Sequence, residues 1–155
     1  MRTAYITHPD CRNHDTGPGH PESASRLYAI EDRFVASGLD GVLQYVDAPL
    51  VTDEQLLRAH PQAYVDAIRN AIPESGYARL DPDTVVSPNS LKAAHRAAGA
   101  VVAAVDLIMN GKIDSAFCGV RPPGHHAERT RSMGFCLFDN IAVGAAHALD
   151  TYGLE

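Results

Sequence analysis

The chain has 155 residues, of which 45% are hydrophobic and 21% are charged, and these are ordinary values for a globular protein. This length suffices for one domain that buries roughly two thirds of the surface of its unfolded chain. The formal net charge of -6 argues against a nucleic-acid-binding surface, whereas it would not oppose a cationic substrate.

Strand and helix patterns alternate along the chain and predict an α/β fold, in which an open parallel sheet is flanked by helices on both faces. Leu27, Ile30 and Phe34 recur at helical spacing and predict a helix over 21–37, which Gly38 ends. The other predicted elements are strands over 3–7, 43–46 and 115–120, and helices over 52–58, 61–72, 89–110 and 140–152.

Two of these segments have a more specific interpretation. Residues 73–89 form a long loop, and a loop of that length inside a compact domain is more often functional than idle. The helix over 89–110 is apolar on nearly every face in its middle, which predicts that it is buried in the centre of a layer. His95 in this helix and His147 in the last helix are expected to be packed helix residues.

The most informative segment is 121–127, with the sequence Arg-Pro-Pro-Gly-His-His-Ala. It sets His125 and His126 on a turn directly after a short apolar segment with the pattern of a central strand. The prolines and the glycine fix the backbone and let it turn sharply. A His-His pair without context is more often structural. Ligands of open α/β sheets bind at the carboxyl ends of the strands, so here the position predicts a catalytic pair.

The chain resembles the zinc-dependent histone deacetylase family, which includes bacterial deacetylase-like amidohydrolases and acetylpolyamine amidohydrolases. Segment 121–127, followed by Gly-Phe-Cys-Leu-Phe-Asp-Asn at 134–140, matches the family's first active-site block. Three earlier segments agree in order, at 8–26, 51–61 and 83–90. The resemblance implies an arginase/deacetylase-like sheet, with residues 1–155 as the amino-terminal part of a single deacetylase domain, truncated after its first half.

The resemblance also implies the reaction, which is hydrolysis of an acetyl or similar acyl amide. A bound Zn²⁺ polarises the carbonyl and the attacking water, while a positioned base and acid handle the protons. His125 and His126 match the family's tandem pair in these proton-transfer roles, for which an unperturbed pKa of about 6.5 suits histidine. The expected substrate is an acetyl-lysine protein, an acetylated polyamine or a small acetylated molecule, and the oligomeric state stays open.

Four further site residues follow from the resemblance. Gly134 and Phe135 match the wall of the substrate tunnel, where the ring would grip an aliphatic stem. Arg26 and Cys136 match positions that line an internal cavity beneath the metal. The alternatives are a packed strand end for the first pair, a solvated surface charge for Arg26 and a buried apolar thiol for Cys136.

No metal ligand is predicted within the chain. The family binds zinc through an Asp-x-His motif and a later Asp, and no Asp-x-His occurs in the 155 residues, so the zinc ligands are expected downstream of Glu155. The three cysteines are too scattered for a zinc finger or ribbon. Five potential donors near the amino terminus lack a ligand spacing and are expected to form a solvated rim loop. They are His8, Asp10, His14, His20 and Glu22.

Two hypotheses about function remain. In the first, the chain is part of a zinc amidohydrolase and is inactive alone. In the second, it is a complete, non-catalytic remnant that binds a partner through its unfinished sheet edge. A chain that ends at Glu155 would leave the strand over 115–120 as an exposed edge, which predicts poor solubility if this half is expressed alone. The sequence has no basic apolar leader and no long apolar span, so we expect a cytoplasmic protein without membrane insertion.

Overall fold

The centre of the fold is a parallel sheet of three strands, seen in a computed structural model that describes residues 1–154. The strands of the chain are β1 (Thr3–Thr7), β2 (Gln44–Asp47), β3 (Ala78–Arg79), β4 (Val85–Val86) and β5 (Ser115–Cys118). The parallel sheet has the spatial order β2-β1-β5, and the short strands β3 and β4 pair separately as an antiparallel hairpin. Strand β1 therefore lies between two strands that come later in the chain.

Helices fill most of the remaining chain. They are a 3-10 helix (Pro9–Asn13) and the α-helices α1 (Ser25–Ser37), α2 (Asp53–Leu57), α3 (Gln62–Asn70), α4 (Ser90–Met109) and α5 (Asn140–Tyr152). Two predictions are wrong, while the other predicted bounds lie within two residues of those observed. Helix α1 begins at Ser25 and not at residue 21, because Glu22 turns inward to bind Arg121. The predicted loop over 73–89 contains the hairpin of β3 and β4.

The two faces of the sheet are covered by different helices. Side chains of β1 alternate between the faces. Ala4 and Ile6 join a core cluster with Ala97 of α4. Tyr5 points the other way, and its ring centroid lies 5.1 Å from that of Phe34 in α1. The prediction of a parallel sheet with helices on both faces is confirmed, and the middle of α4 is buried as predicted.

Strand β5 forms an edge of the sheet within residues 1–154, as predicted. Its Phe117 stacks on Tyr5 at 5.9 Å between ring centroids and still keeps 45% of its surface exposed. Of the helices in the described part of the chain, none is long and apolar enough to cross a lipid bilayer.

Candidate active site

The histidine turn, residues 121–127, follows β5 at the carboxyl end of the strand. A backbone hydrogen bond from Ala127 N–H to the Gly124 carbonyl at 3.1 Å closes the turn. Gly124 lies against the start of α5, since a Cβ at this position would stand 2.5 Å from the Asn140 nitrogen. The absence of a side chain at Gly124 thus lets the turn pack directly on the helix.

A buried ion pair anchors the first residue of this turn. The Arg121 side chain is fully buried, and its Nε and Nη2 donate to the two carboxylate oxygens of Glu22 at 2.7 Å each. A third nitrogen, Nη1, donates to the Cys11 carbonyl at 3.2 Å. A bidentate pair of this kind fixes orientation as well as charge. The turn is therefore held to the segment that precedes α1.

His14 completes this cluster. Its Nε2 lies 3.7 Å from a Glu22 oxygen, and its Nδ1 forms a hydrogen bond with Ser90 Oγ at 2.7 Å. Burial lowers the pKa of His14 to about 4, although the carboxylate of Glu22 opposes the shift. The ring is therefore neutral at pH 7, and the Glu22 carboxylate faces two guanidinium groups, that of Arg121 and, at 3.6 Å, that of Arg26.

The expected solvated rim loop is wrong for three of its five residues. His14 and Glu22 are buried in the cluster described above. Asp10 binds Arg96 Nε at 2.9 Å and Lys92 Nζ at 3.2 Å on α4. The physical reason is that Asp10 and Glu22 find opposite charges in the fold, which repays their removal from water, while the neutral His14 ring is held by Ser90.

His125 and His126 are both exposed, and their ring centroids are 4.3 Å apart with the planes inclined at 52°. They line a pocket of about 510 Å³ together with Gly134 and Phe135. The four residues that sequence reasoning placed at the reaction and along the tunnel wall thus share one concave surface. Solvent reaches both imidazoles.

Gly134 and Phe135 adopt the left-handed backbone conformation, with φ of 57° and 69°. A Cβ at Gly134 would stand 2.8 Å from the ring of His126, so glycine allows the backbone to lie directly against the imidazole. Phe135 donates its N–H to Thr84 Oγ1 at 3.1 Å, and its ring meets His20 edge-on at 5.0 Å. These contacts fix the ring beside the histidine pair.

The two predicted cavity residues make different contacts around the histidine turn. Arg26 lines the pocket of His125 and His126, and its Nη2 donates to the Val120 carbonyl at 2.7 Å. Cys136 is fully buried, and burial raises the pKa of its thiol. Its Sγ accepts a hydrogen bond from the His126 N–H at 3.5 Å and donates to the Gly134 carbonyl at 3.2 Å. Cys136 therefore packs behind His126.

Sequence reasoning missed the role of His60, which is buried and bridges two segments of the site. Its Nε2 accepts from the Asp139 N–H at 2.9 Å, so Nδ1 carries the proton and donates to the Arg129 carbonyl at 3.0 Å. Burial lowers the pKa of His60, which favours this neutral form. Asp139 in turn caps α5 by accepting from Ile141 and Ala142. The only available signal was the position of His60 in the matched segment 51–61.

Two further histidines, His95 in α4 and His147 in α5, have structural partners, as predicted. His95 Nδ1 forms a hydrogen bond with the Leu91 carbonyl at 2.8 Å, and its ring meets Phe138 edge-on. His147 Nε2 forms a hydrogen bond with Asp106 at 2.6 Å.

Within residues 1–154, no group of three or more His, Cys, Asp or Glu side chains is arranged to hold a metal ion. Structural and catalytic zinc sites take at least three protein ligands. The residues of the described chain therefore do not by themselves fit a zinc site.

Comparisons with known proteins agree on one family. A family model described as the histone deacetylase domain matches residues 20–155. A histone deacetylase-like amidohydrolase of Pseudomonas aeruginosa is 34% identical, in an alignment covering 99% of the chain and 45% of that protein. The human polyamine deacetylase HDAC10 is 34% identical over the whole chain and 24% of its own length. A crystal structure of the HDA15 HD domain superposes with a TM-score of 0.90 at 31% identity, covering 97% of the chain and 44% of that structure. The chain thus spans less than half the length of each of these three proteins.

Proposed function

The chain belongs to the histone deacetylase family. From this premise we propose that it supplies the two active-site histidines, His125 and His126, of a zinc-dependent amidohydrolase. The reaction would remove an acetyl or similar acyl group from the amine of a lysine or a polyamine. The observation that carries the proposal is the pocket of about 510 Å³, which exposes both imidazoles of the histidine turn beside Gly134 and Phe135.

His125 and His126 are proposed as the general base and the general acid. One imidazole takes a proton from the attacking water, and the other gives a proton to the nitrogen of the leaving amine. Both rings are exposed and lie 4.3 Å apart, so one bound amide can meet both. Their backbone is fixed by Arg121 on one side and by Gly134 on the other, which restricts where the rings can stand.

The remaining residues are proposed to hold the substrate and to receive the product. The aromatic ring of Phe135 and the backbone of Gly134, which carries no side chain, suit contact with the thin aliphatic stem of the substrate. Arg26 opens onto the same pocket, and its guanidinium, which lies 3.6 Å from a Glu22 oxygen, is proposed to attract an acetate product. Cys136 packs beneath His126. Asp83 also lines this pocket.

Zn²⁺ is the cofactor that the family implies, and it would polarise the amide carbonyl. Since the described residues do not fit a zinc site, its ligands would come from outside them. We therefore expect the 155-residue chain alone to release no acetate.

A second candidate function is binding without catalysis, which is favoured by the outer side of β5, where no strand of residues 1–154 pairs with it. An exposed strand offers backbone N–H and C=O groups to a partner strand. This module would bind a partner and would not depend on His125 or His126.

The test begins with the intact mass of the natural polypeptide that contains segment 121–127, and with the zinc-dependent release of acetate by that polypeptide, and by its variants, from an acetyl-lysine peptide and an N-acetylated polyamine. His125→Ala and His126→Ala are expected to lower the zinc-dependent rate by about 10²–10⁴-fold each. Both side chains are exposed, so the melting temperature serves as the control for folding and should stay unchanged. Undiminished hydrolysis by the double variant would reject the assigned roles.

A further inference from the structure

The turn over Met133–Cys136, beside the histidine pair, has an unusual backbone. The Cys136 N–H donates to the Met133 carbonyl at 3.0 Å and closes the turn. Its two central residues, Gly134 and Phe135, have φ of 57° and 69°. Positive φ at both central positions is characteristic of a type I′ turn. Within residues 1–154, Phe135 is the only residue other than glycine with a positive φ, so its conformation calls for a cause.

The sequence of this turn favours a different conformation. A type II′ turn has glycine at its first central position and a negative φ at the second. Gly134 suits that first position, and Phe135 would then avoid the left-handed region, which is costly for a residue with a side chain. The two turn types differ in the orientation of the peptide group between the central residues. Here this peptide group carries the Phe135 N–H, so a contact of that N–H can select between the two types.

Thr84 makes that contact. Its Oγ1 accepts a hydrogen bond from the Phe135 N–H at 3.1 Å, and the residue is fully buried. Because Thr84 is buried, water does not compete with its hydroxyl for the N–H. Rotation of the peptide group by half a turn would move the N–H away from the hydroxyl oxygen and bring the Gly134 carbonyl towards it.

Asp81 determines which of these two groups the hydroxyl can bind. The Thr84 O–H donates to Asp81 Oδ2 at 2.9 Å, and an oxygen of the Asp83 carboxylate at 3.3 Å is the other available acceptor. Asp81 Oδ1 accepts from the N–H groups of Asp83 and Thr84 at 2.9 and 2.7 Å, which fixes its carboxylate. A hydroxyl has one proton, so once that proton is given to a carboxylate the oxygen offers only lone pairs to the turn. Lone pairs accept an N–H and repel a carbonyl oxygen, which selects the type I′ turn.

The selected conformation brings the Phe135 ring to the pocket of the histidine pair. The ring meets His20 edge-on at 5.0 Å, and Phe135 lines the pocket with His125 and His126. Thr84 is not among the lining residues, so it acts on a bound molecule through its neighbours. In a type II′ turn the φ of Phe135 would be negative, and its side chain would leave the backbone in a different direction.

We propose that Thr84 is a positioning residue of the candidate active site. By accepting the Phe135 N–H, its hydroxyl holds the turn over Met133–Cys136 in the type I′ conformation and thereby places the Phe135 ring beside the histidine pair. This inference rests on the proposed function, because it takes the ring to contact the aliphatic stem of the substrate. Loss of the hydroxyl would let the turn change to type II′ and remove the ring from the pocket.

The ring resonances of His20 report the position of Phe135 without any reaction, since the two rings are in contact. They are measured by NMR in the natural polypeptide that contains segment 121–127. Thr84→Val replaces the hydroxyl by a methyl group of similar size and is expected to shift these resonances in the same direction as Phe135→Ala does. In the Phe135→Ala background, Thr84→Val should add no further shift. Unchanged His20 resonances in Thr84→Val, or an equal shift in both backgrounds, overturns the proposal.

Three further variants separate the hydroxyl from general effects. Thr84→Ser keeps the hydroxyl and should leave the His20 resonances as they are in the unaltered protein. Thr84→Ala also lacks the acceptor and should give the same shift, which keeps the test available where Thr84→Val does not fold. Thr3→Val is the matched control, because the Thr3 hydroxyl pairs with Ser115 Oγ at 2.8 Å at the amino end of β1, away from the histidine turn. A His20 shift in Thr3→Val as large as in Thr84→Val would contradict the proposal.

Zinc-dependent release of acetate from an acetyl-lysine peptide by the same polypeptide tests the consequence for the substrate. Thr84→Val is expected to raise KM on the order of tenfold and to change kcat by less than about twofold, because the ring would contact the stem and not the reacting amide. Phe135→Ala should raise KM to a similar extent, and combining the two substitutions should raise it no further. An unchanged KM in Thr84→Val, or two losses that multiply in the double variant, would refute the positioning role.

The two readouts distinguish failure of this inference from failure of the proposed function. A His20 shift that depends on Phe135, in a polypeptide that releases no acetate, would retain the positioning of Phe135 by Thr84 and reject the amidohydrolase. Acetate release that needs the histidine pair, together with unchanged His20 resonances in Thr84→Val, would retain the amidohydrolase and reject the role of Thr84.

Discussion

Replacing Glu22 by glutamine is expected to destabilise the fold by about 3 to 5 kcal/mol, because it leaves a buried cation without its charge partner. Arg121 has no exposed side-chain surface, and Glu22 has 5%. The glutamine keeps the size of the side chain but removes the charge that both 2.7 Å hydrogen bonds use. The nearest histidine supplies no negative charge and adds no positive one, since burial lowers the pKa of His14 to about 4 and leaves the ring neutral at pH 7.

The assay is urea unfolding of the chain, followed by far-ultraviolet circular dichroism at pH 7. The double variant Glu22→Gln, Arg121→Met removes both charges and should recover much of the loss, because a buried pair replaced by groups of similar size is often nearly neutral. Glu128→Gln is the control, because the Glu128–Arg131 pair is 56% and 62% exposed and should contribute about 0–1 kcal/mol. A loss below about 1 kcal/mol for Glu22→Gln, or a double variant that loses as much as both single variants added, would refute the reasoning.

Three further predictions concern the surroundings of the histidine turn. Gly134→Ala should lower the melting temperature and shift the His126 ring resonances, since the new Cβ meets that ring at 2.8 Å on a left-handed backbone; unchanged resonances would contradict this. The stability of the chain should fall as the pH drops from 6.5 towards 4, because unfolded His14, with a pKa near 6.5, binds a proton that the folded ring with its pKa of about 4 does not. The loss is on the order of 3 kcal/mol, and His14→Gln should flatten that part of the pH profile. His60→Ala should accelerate hydrogen exchange at the Asp139 amide, whose acceptor it removes, and an unchanged exchange rate would refute the bridging role.

The sequence predicts the sheet and its flanking helices because periodicity is local. The apolar composition of helix α4 predicts that its middle is buried, and the structure confirms this. The proximity of Gly134 to the histidine turn follows from two matched motifs a few residues apart. Periodicity cannot predict the strands β3 and β4, since each has only two residues and two residues do not define a period.

The buried cluster escapes sequence reasoning for a different reason. Glu22 and Arg121 are 99 residues apart, and nothing near either one indicates its partner. The segment around His14 is rich in turn-forming residues, which is typical of a solvated loop. Only the folded chain reveals that its charges are paired internally. The same applies to His60, whose two hydrogen bonds reach backbone groups 69 and 79 residues away.

The central position of β1 determines when the chain can fold during its synthesis. Thr3 pairs with Ser115, which the ribosome adds 112 residues later. At about 5 to 20 residues per second, the first strand waits roughly 5 to 20 seconds for its neighbour. During that time Ala4 and Ile6 have no completed core to enter, although both are fully buried in the finished fold. Nascent chains of this protein should therefore be sensitive to the supply of chaperones that shield apolar segments. A slower ribosome would lengthen the time during which these apolar side chains are exposed.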